Sequence, residues 1–364
     1  MAILTGNADL FRARLHQGSL KNRLPVRAMF ELTYRCNFSC LHCYNSDAQK
    51  ATRPAEELTT QEIFEIIDQI KEIGCYVLGF TGGEVFVRPE AMEIFHYAKR
   101  SGFQVLIYTN GYLIDERVAD QLQELGPNKV DISIHGFTRG TFEKITQLPG
   151  SQERVFRAID LLTQRGIPVG IKSNLFEFNK DELRQVKEFA SSRGASYRWS
   201  PRFFARNDGS MDPYQYQLTE EKVSQVAEGL GQTPQINEGK EEAPRKRAGW
   251  ARGEKLFSCG FGYTDLVINP FGEVKLCLEL GEPRFKVKGS SLRASWQEAV
   301  DFVDREITAA LEQREPCELR PYCDCCPVQA YLATGNFAAC DPTERRRAEI
   351  RKKRLEEIEP STVL

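Results

Sequence analysis

Apolar and polar positions alternate in a regular order along residues 26–200. Short apolar runs rich in β-branched and aromatic residues predict strands, and longer stretches with apolar residues three or four positions apart predict amphipathic helices. The predicted strands are 26–34, 75–80, 103–109, 129–134, 168–173 and 195–200. The predicted helices are 59–74, 89–102, 115–126, 151–166 and 180–194.

The segment 59–74 has the clearest helical pattern. Thr59 and Glu62 have the spacing of a capping box, in which each side chain bonds to the backbone N–H of the other residue. Gly74 is a stop signal. The helix is therefore expected to begin just after Thr59 and to bury one isoleucine-rich face. The residues of that face are Ile63, Ile66, Ile67, Ile70 and Ile73.

Strands that alternate with amphipathic helices predict an α/β fold with a parallel sheet and right-handed crossovers. Six strands are fewer than the eight of a closed barrel, so we expect an open partial (β/α)6 barrel. Ligands of such sheets bind at the carboxyl ends of the strands. The loops after these strands are therefore the expected catalytic rim.

The alternation divides the chain into five segments. Residues 1–25 form a polar N-terminal extension, 26–215 the partial barrel, and 216–254 a linker with one short helix. A small cysteine-rich domain is predicted over 255–345. Residues 346–364 mix basic and acidic side chains, which favours a solvated terminal helix over a nucleic-acid-binding tail.

Composition narrows the function classes. The chain has 364 residues, 41% apolar content, 27% charged content and a net charge of −2, so no global attraction to nucleic acid or to an anionic membrane is expected. We find no apolar run long enough to span a membrane and no signal-peptide core. These features predict a cytoplasmic protein that binds neither nucleic acid nor membrane.

The cysteines predict metal binding. Eleven cysteines without an export signal indicate a reducing compartment, where clustered cysteines hold metal more often than they form disulfides. The four histidines are scattered, so thiolate-rich ligation is favoured, and thiolates suit zinc, Cu(I) and iron–sulfur clusters. Cys75 opens a predicted strand and is expected to pack in the core.

The sequence RCNFSCLHCYN follows the first strand and places cysteines at 36, 40 and 43. Three thiolates leave a four-ligand site incomplete. One interpretation is a zinc knuckle completed by His42 or by a distant ligand. The other is an iron–sulfur cube with one iron open to a substrate, and a ligand with an amine and a carboxylate would suit that iron. The candidate ligands are Cys36, Cys40 and Cys43.

Polar and glycine-rich segments follow the next three strands. FTGGE ends at Glu84, and its two glycines allow close backbone approach. TNG at 109–111 offers hydroxyl and amide groups, and Ser133 ends the fourth strand. All three segments are expected on the same rim as the cysteine loop.

These motifs together resemble the radical S-adenosylmethionine (radical SAM) superfamily. The resemblance implies that Cys36, Cys40 and Cys43 bind a [4Fe–4S] cluster whose fourth iron binds the methionine amine and carboxylate of SAM. His42 stands where the family usually has an aromatic residue, and the resemblance assigns it a contact with SAM. The resemblance also assigns SAM contacts to Gly82, Gly83 and Glu84 (amine), to Asn110 and Ser133, and to Lys172 (carboxylate).

The C-terminal cysteines resemble the SPASM extension of radical SAM enzymes, which carries one or two auxiliary [4Fe–4S] clusters. Arg314 stands where that family has a further cysteine, which leaves room for an open site or for an oxygen ligand from Asp324 or Asp341. The resemblance assigns the first auxiliary cluster to Cys259, Cys277 and Cys326, the second to Cys317, Cys323 and Cys340, and Cys325 to either.

The resemblance implies an enzyme that reductively cleaves SAM to a 5′-deoxyadenosyl radical and abstracts hydrogen, most often from a ribosomally made peptide that is crosslinked, joined through a thioether or epimerised. A small-molecule enzyme, such as a tetrapyrrole decarboxylase or an alcohol or sugar dehydrogenase, is the alternative. A zinc-stabilised binding protein is the alternative of another class. The short stretch before the first strand favours a separate leader-peptide recognition protein or a small substrate, and flavodoxin or ferredoxin is the expected electron donor.

Substrate contacts are less clearly marked in the sequence. Tyr197, Arg198 and Trp199 lie on the sixth predicted strand, where neighbouring side chains should face opposite sides of the sheet. Arg202 and Arg206 could contact a carboxylate, although ordinary surface pairing is the more common role of such residues.

Overall fold

The computed structural model describes residues 18–231, 260, 262–287, 289–308, 317–319, 322–323 and 326–358. Within these residues the strands form a single sheet. The strands are β1 (Arg27–Glu31), β2 (Val77–Thr81), β3 (Gln104–Thr109), β4 (Lys129–Ser133), β5 (Val169–Asn174), β6 (Ser196–Ser200), β7 (Asp265–Ile268), β8 (Glu273–Lys275) and β9 (Arg284–Lys286).

Amphipathic helices connect the strands of the first half and pack on one face of the sheet. The longer helices are α1 (Thr60–Glu72), α2 (Ala91–Arg100), α3 (Glu116–Leu125), α4 (Arg139–Thr146), α5 (Ser151–Gln164), α6 (Leu183–Ser192), α7 (Glu220–Gly229), α8 (Leu292–Phe302), α9 (Pro327–Thr334) and α10 (Pro342–Ile358).

The strand order is β6-β5-β4-β3-β2-β1-β7-β8-β9, and the pairs from β1 to β6 are all parallel. This arrangement confirms the predicted α/β class with an open parallel sheet. Each of the six predicted strands is present, with ends shifted by a few residues. The carboxyl ends of β1 to β4 therefore bring the motif-bearing loops to one edge.

The sheet extends further than the sequence predicted. β7 pairs in parallel with β1, and Arg27 lies opposite Asp265. β8 and β9 continue as antiparallel strands. The turn between β7 and β8 contains Gly272, which has φ of +75°. The C-terminal segment is thus joined to the barrel by backbone hydrogen bonds.

Helix α1 begins as predicted. The Thr59 side chain accepts a hydrogen bond from the Glu62 backbone N–H, and the Glu62 carboxylate accepts one from the Thr59 backbone N–H at 2.8 Å. The buried face carries the predicted isoleucines, which pack into the core beneath β1 and β2. The packing of this face holds α1, which leads into β2, against the core.

Two segments differ from the predictions. Residues 139–146, to which the sequence pattern assigned no element, form α4, with Thr138 as the N-cap. Helix α7 was assigned to a linker, but its Val223 packs with Leu175 and Leu183 in a second small core. The predicted linker therefore begins with a helix that belongs to the body of the barrel.

The prediction of a solvated C-terminal helix holds for only one face of the described part of α10, where Arg346, Glu349 and Lys353 are exposed. Glu344 and Arg351 are buried, and their side chains pair at 3.0 Å. Arg347 and Arg351 both pair with Glu220 of α7, at 3.5 and 3.4 Å. The alternating charges of this helix therefore build an internal ion cluster.

No helix among the described residues is long and apolar enough to span a membrane.

Candidate functional site

The cysteine loop lies against the glycine turn that follows β2. Gly83 donates its N–H to Thr33 O at 2.7 Å, and Glu84 donates its N–H to Arg35 O at 2.9 Å. A Cβ atom on Gly83 would lie 2.2 Å from Arg35 O, and one on Gly82 would lie 2.2 Å from Thr33 O. Only glycine permits this approach, so the turn supports the backbone that leads to Cys36.

Glu84 is buried and bound by donors from two segments. Its Oε1 accepts hydrogen bonds from Thr109 Oγ1 at 2.7 Å and from the Phe86 N–H at 3.1 Å, and its Oε2 accepts one from the Asn110 N–H at 2.7 Å. Burial raises the pKa of Glu84, and these hydrogen bonds oppose that rise. The carboxylate therefore ties the end of β2 to the end of β3; its predicted contact with an amine stays a prediction.

Asn110 lies directly beside the first cysteine. Its Nδ2 donates to Asn37 Oδ1 at 2.8 Å and approaches Cys36 Sγ at 3.8 Å. Its Oδ1 accepts a hydrogen bond from the Tyr112 N–H at 2.9 Å. Sequence reasoning assigned Asn110 to SAM and missed this contact, because no local pattern relates position 110 to position 36.

The three thiols of the first cysteine set lie within electrostatic range of one another. Burial raises the pKa of Cys36 to about 12 and raises that of Cys40 well above its usual value, and neighbouring thiols of the set add to both rises. Within the described chain, no three His, Cys, Asp or Glu side chains form a group that could hold a single metal ion. Three thiols on one loop, which need a positive partner to ionise, fit the three-cysteine donor set of an iron–sulfur cluster.

His42 packs as an aromatic ring. Its centroid lies 4.4 Å from that of His135, 5.2 Å from that of Phe176 and 5.9 Å from that of Phe203. Burial, with a smaller effect from His135, lowers the pKa of His42 well below its usual value. A neutral ring at this position fits the aromatic residue that the family carries there, and the SAM contact of His42 stays a prediction.

His135 is a residue of the rim that sequence reasoning missed. It accepts a hydrogen bond from the Asn174 N–H at Nδ1 (2.9 Å), and burial lowers its pKa to about 4. The motif SIHG after β4 could have indicated this histidine, but only Ser133 of that motif was assigned a role from the sequence. His135 and His42 together give the rim two neutral imidazoles in contact.

Ser133 and Lys172 are neighbours across the sheet, at the ends of β4 and β5. The Lys172 ammonium lies 3.0 Å from Asp131 Oδ2 and 4.0 Å from the centroid of the Tyr108 ring. Arg198 donates to the same Asp131 oxygen at 3.1 Å. Lys172 therefore already has an anionic partner, and its contact with a SAM carboxylate stays a prediction.

Strand β6 divides its side chains as predicted. Tyr197 packs with the main core and Trp199 with the second core, while Arg198 faces Asp131 on the other side. Arg202 and Arg206 form ion pairs with Glu344 at 3.7 Å and with Asp47 at 3.5 Å.

The second cysteine set is only partly described. Cys277 is buried, and its thiol donates to Glu279 Oε2 at 2.7 Å. Burial raises the pKa of Cys277 well above its usual value, and the nearby Glu279 and Cys326 add to that rise. Cys317 and Cys340 are exposed, and Cys323 is half-buried. Cys259 and Cys325 lie outside the described residues. The structure thus brings together Cys277 and Cys326, two of the three cysteines predicted for the first auxiliary cluster.

Buried ionisable residues lie between the two cysteine sets. Glu31 pairs with Lys275 at 3.0 Å and accepts a hydrogen bond from the Tyr34 hydroxyl at 3.0 Å. Burial raises the pKa of Tyr44, and the charges of Glu31, Glu279 and Cys43 raise it further. This polar region connects the end of β1 with the hairpin that carries Cys277.

Comparison with known proteins finds a matching domain family and similar proteins. A model of the Radical SAM superfamily matches residues 30–191. The chain is 28% identical over 342 residues to the AdoMet-dependent heme synthase of Methanosarcina barkeri (strain Fusaro / DSM 804). The aligned region covers 87% of this chain and 95% of that protein. It is 29% identical over 269 residues to the antilisterial bacteriocin subtilosin biosynthesis protein AlbA of Bacillus subtilis (strain 168). The aligned region covers 71% of this chain and 56% of AlbA.

A solved structure, Streptococcus suis SuiB bound to precursor peptide SuiA, has a similar fold. The TM-score is 0.67 at 14% sequence identity, over 92% of this chain and 80% of that chain. The matched range 30–191 contains the cysteine loop, the GGE turn and the TNG turn. With this match, residues 30–191 form a domain of the Radical SAM superfamily, and the likeness to SuiB extends the similarity of fold over 92% of the chain.

Proposed function

We propose that this enzyme abstracts hydrogen from a ribosomally made peptide and thereby introduces a crosslink, a thioether or an epimerised centre. Radical SAM enzymes carry a [4Fe–4S] cluster and SAM; when both are bound, electron transfer splits SAM and supplies a 5′-deoxyadenosyl radical. The observation that supports the proposal is the set of three neighbouring thiols on the loop after β1, beside the GGE and TNG turns.

Residues of this chain would hold the two groups. Cys36, Cys40 and Cys43 would ligate the cluster. The GGE turn would face the methionine amine, with the Gly82 and Gly83 backbone available where side chains are absent. Ser133 and Lys172, at the ends of β4 and β5, would lie beside the nucleoside and the carboxylate, and the neutral His42 ring would pack beside them.

The second cysteine set would hold one or two auxiliary [4Fe–4S] clusters. The proximity of Cys277 and Cys326 supports a first auxiliary cluster with Cys259 as a further ligand. Cys317, Cys323 and Cys340 would hold a second, with Cys325 serving either. A flavodoxin or ferredoxin would supply electrons, and a separate protein would recognise the leader of the peptide.

The peptide assignment draws support from AlbA, whose name gives it a role in making a bacteriocin, although the chain spans little more than half of AlbA. A second candidate substrate is a tetrapyrrole. It is supported by the heme synthase of Methanosarcina barkeri, of which the chain covers 95%. The two candidates share the same radical chemistry and differ only in what occupies the site.

Anaerobic reconstitution tests the proposal. The wild-type protein should bind iron and sulfide and form 5′-deoxyadenosine from SAM after reduction, and Cys36→Ala, Cys40→Ala and Cys43→Ala should each abolish that product. Cys75→Ala is the matched control, because Cys75 is buried in the core and donates to Pro25 O at 3.3 Å. A colourless, zinc-loaded wild-type protein that forms no 5′-deoxyadenosine would contradict the proposal.

The substrate is tested separately by mass spectrometry. The reconstituted enzyme is incubated with SAM and with either a synthetic peptide encoded by a short reading frame beside the gene or iron coproporphyrin III. Loss of hydrogen, or a changed stereocentre, in the peptide alone supports the peptide assignment. Decarboxylation of the porphyrin alone would replace it with the second candidate.

A further inference from the structure

We propose that Asn110 is a positioning residue that raises the reduction potential of the cluster by donating a hydrogen bond to the Cys36 sulfur, and that Glu84 holds Asn110 in place. This inference rests on the proposed function, because it requires a cluster on Cys36. It gives the GGE and TNG segments a shared role in addition to the predicted SAM contacts.

Two N–H groups point to the Cys36 sulfur. The Phe38 backbone N–H lies 3.4 Å from Sγ, and Asn110 Nδ2 lies 3.8 Å from it. Both distances lie within the range of hydrogen bonds to sulfur. In the described part of the chain, Cys36 is the cysteine of this set for which a side-chain amide donor is observed.

The neighbours of Asn110 fix which way its amide points. Its Oδ1 accepts from the Tyr112 N–H at 2.9 Å, so its Nδ2 lies on the opposite side, toward the cysteine loop. There one N–H is directed to Asn37 Oδ1 at 2.8 Å, which leaves the second for Cys36. The amide thus has partners on both its oxygen and its nitrogen within the protein.

Glu84 holds the backbone from which this amide extends. Its carboxylate accepts the N–H of Asn110 and the hydroxyl of Thr109, each at 2.7 Å. Thr109 Oγ1 in turn accepts the Gly111 N–H at 3.0 Å. Because the Glu84 N–H also bonds to Arg35 O, one residue connects the TNG turn to the backbone just before Cys36.

The charge of Glu84 and the hydrogen bond from Asn110 have opposite effects on the reduction of a cluster bound to Cys36. Glu84 is buried, and its carboxylate binds the backbone of the residue whose amide approaches Cys36 Sγ, so its negative charge lies near that sulfur and disfavours further negative charge there. Reduction places an additional electron on a cluster, and hydrogen bonds to its sulfurs stabilise the reduced state. The Asn110 donor therefore offsets the carboxylate that positions it.

The test is a redox titration of the reconstituted enzyme, followed by electron paramagnetic resonance of the reduced cluster without SAM. Asn110→Asp keeps an oxygen for the Tyr112 N–H but has no N–H for Cys36, and Asn110→Ala removes the donor without adding charge. Asn174→Ala is the matched control, since it removes an amide from the end of β5, where Nδ2 donates to Arg202 O at 3.0 Å.

We expect both Asn110 variants to keep their iron and sulfide and to shift the midpoint potential of the cluster to more negative values. Formation of 5′-deoxyadenosine should become several-fold slower, and Asn174→Ala should keep the wild-type potential. An Asn110→Ala cluster with the wild-type potential would overturn the inference. Loss of the cluster from both variants would also overturn it, because Asn110 would then be needed for assembly. Failure of the proposed function is distinct, because the wild-type protein itself would then lack the cluster.

Discussion

Lys275 Nζ lies 3.0 Å from Glu31 Oε2, and both side chains are buried where the C-terminal hairpin joins the barrel. Removing one partner of a buried pair leaves an uncompensated charge, at a cost of about 3–5 kcal/mol. Lys275→Met should lower the free energy of unfolding by that amount in urea titrations. The double variant Glu31→Gln, Lys275→Met should recover most of the loss, and a double variant no more stable than Lys275→Met would contradict this.

The same pair predicts a pH dependence. Burial raises the pKa of Glu31 in the folded protein, so in the unfolded chain it ionises at lower pH. The folded protein therefore holds the proton of Glu31 to a higher pH than the unfolded chain does. The contribution of this group to stability is fully present below its pKa in the unfolded chain and is lost as pH rises through its pKa in the folded protein. Removing Lys275 raises that folded pKa further, so the deficit of Lys275→Met should be smaller at pH 5 than at pH 8. Equal deficits at both pH values would count against a charged Glu31.

His135 predicts acid sensitivity. Its pKa is about 4 in the folded protein and about 6.5 when unfolded, so between these values the unfolded state binds the additional proton. Stability should fall as pH drops from 6.5 toward 4, by a total of about 3 kcal/mol from this residue. Unfolding of His135→Asn should show a shallower pH slope in this range, and a slope equal to that of the wild type would contradict the prediction.

The glycine turn predicts a steric effect. A Cβ on Gly83 would lie 2.2 Å from Arg35 O and 2.5 Å from Tyr34 O, which are backbone atoms. Gly83→Ala should displace the cysteine loop and reduce the iron bound after reconstitution to a small fraction of the wild-type amount.

Gly140→Ala is the matched control for the glycine turn. Gly140 lies in α4, and among the described residues no atom outside that helix lies within 4 Å of the place that a Cβ would take. Alanine there should leave the iron content unchanged and stabilise the helix by up to about 1 kcal/mol. Normal iron in Gly83→Ala would show that the loop tolerates the added atom.

The capping box of α1 predicts a local stability effect. Thr59→Ala removes the side-chain acceptor for the Glu62 N–H and should cost about 1 kcal/mol. Thermal unfolding should show a lower midpoint for Thr59→Ala, while Thr59→Ser, which keeps the acceptor, should stay near wild type. Equal midpoints for the two variants would exclude a contribution from the cap.

The ion cluster of α10 distinguishes buried from exposed arginines on one helix. Arg347 is buried and pairs with Glu220 at 3.5 Å, whereas Arg345 pairs with Glu349 at the surface. Arg347→Ala should destabilise the protein by about 3 kcal/mol or more, and Arg345→Ala by no more than about 0.5 kcal/mol. Similar losses in urea unfolding would indicate that α10 is not docked on α7.

Local patterns were sufficient for much of this fold. The isoleucine face and the capping box of α1 depend on residues three or four positions apart, and both are present as predicted. Helix α4 was missed although Thr138 caps it and Phe142 and Ile145 pack inward, because the segment is short and follows a glycine. A search for short N-capped segments would have found it.

Contacts between distant positions could not be predicted in this way. From the sequence alone, the charged side chains of Arg347 and Glu220 are expected in solvent. Their ion pair becomes visible only when the fold places α10 beside α7. The hydrogen bond from Asn110 to Cys36 depends on how β1 and β3 are spaced around β2. The family motifs indicated which residues share the rim, but not which of them contact each other.

The parallel pairing of β1 with β7 also bears on how the protein is made. During translation, β1 leaves the ribosome long before Asp265–Ile268 exist, and until then the edge of β1 opposite β2 lacks the partner that it has in the finished protein. A nascent chain stalled before residue 265 should therefore expose the edge of β1, next to the cysteine loop that follows it. The pairing of β1 with β7 can close that edge only after Asp265–Ile268 have been made.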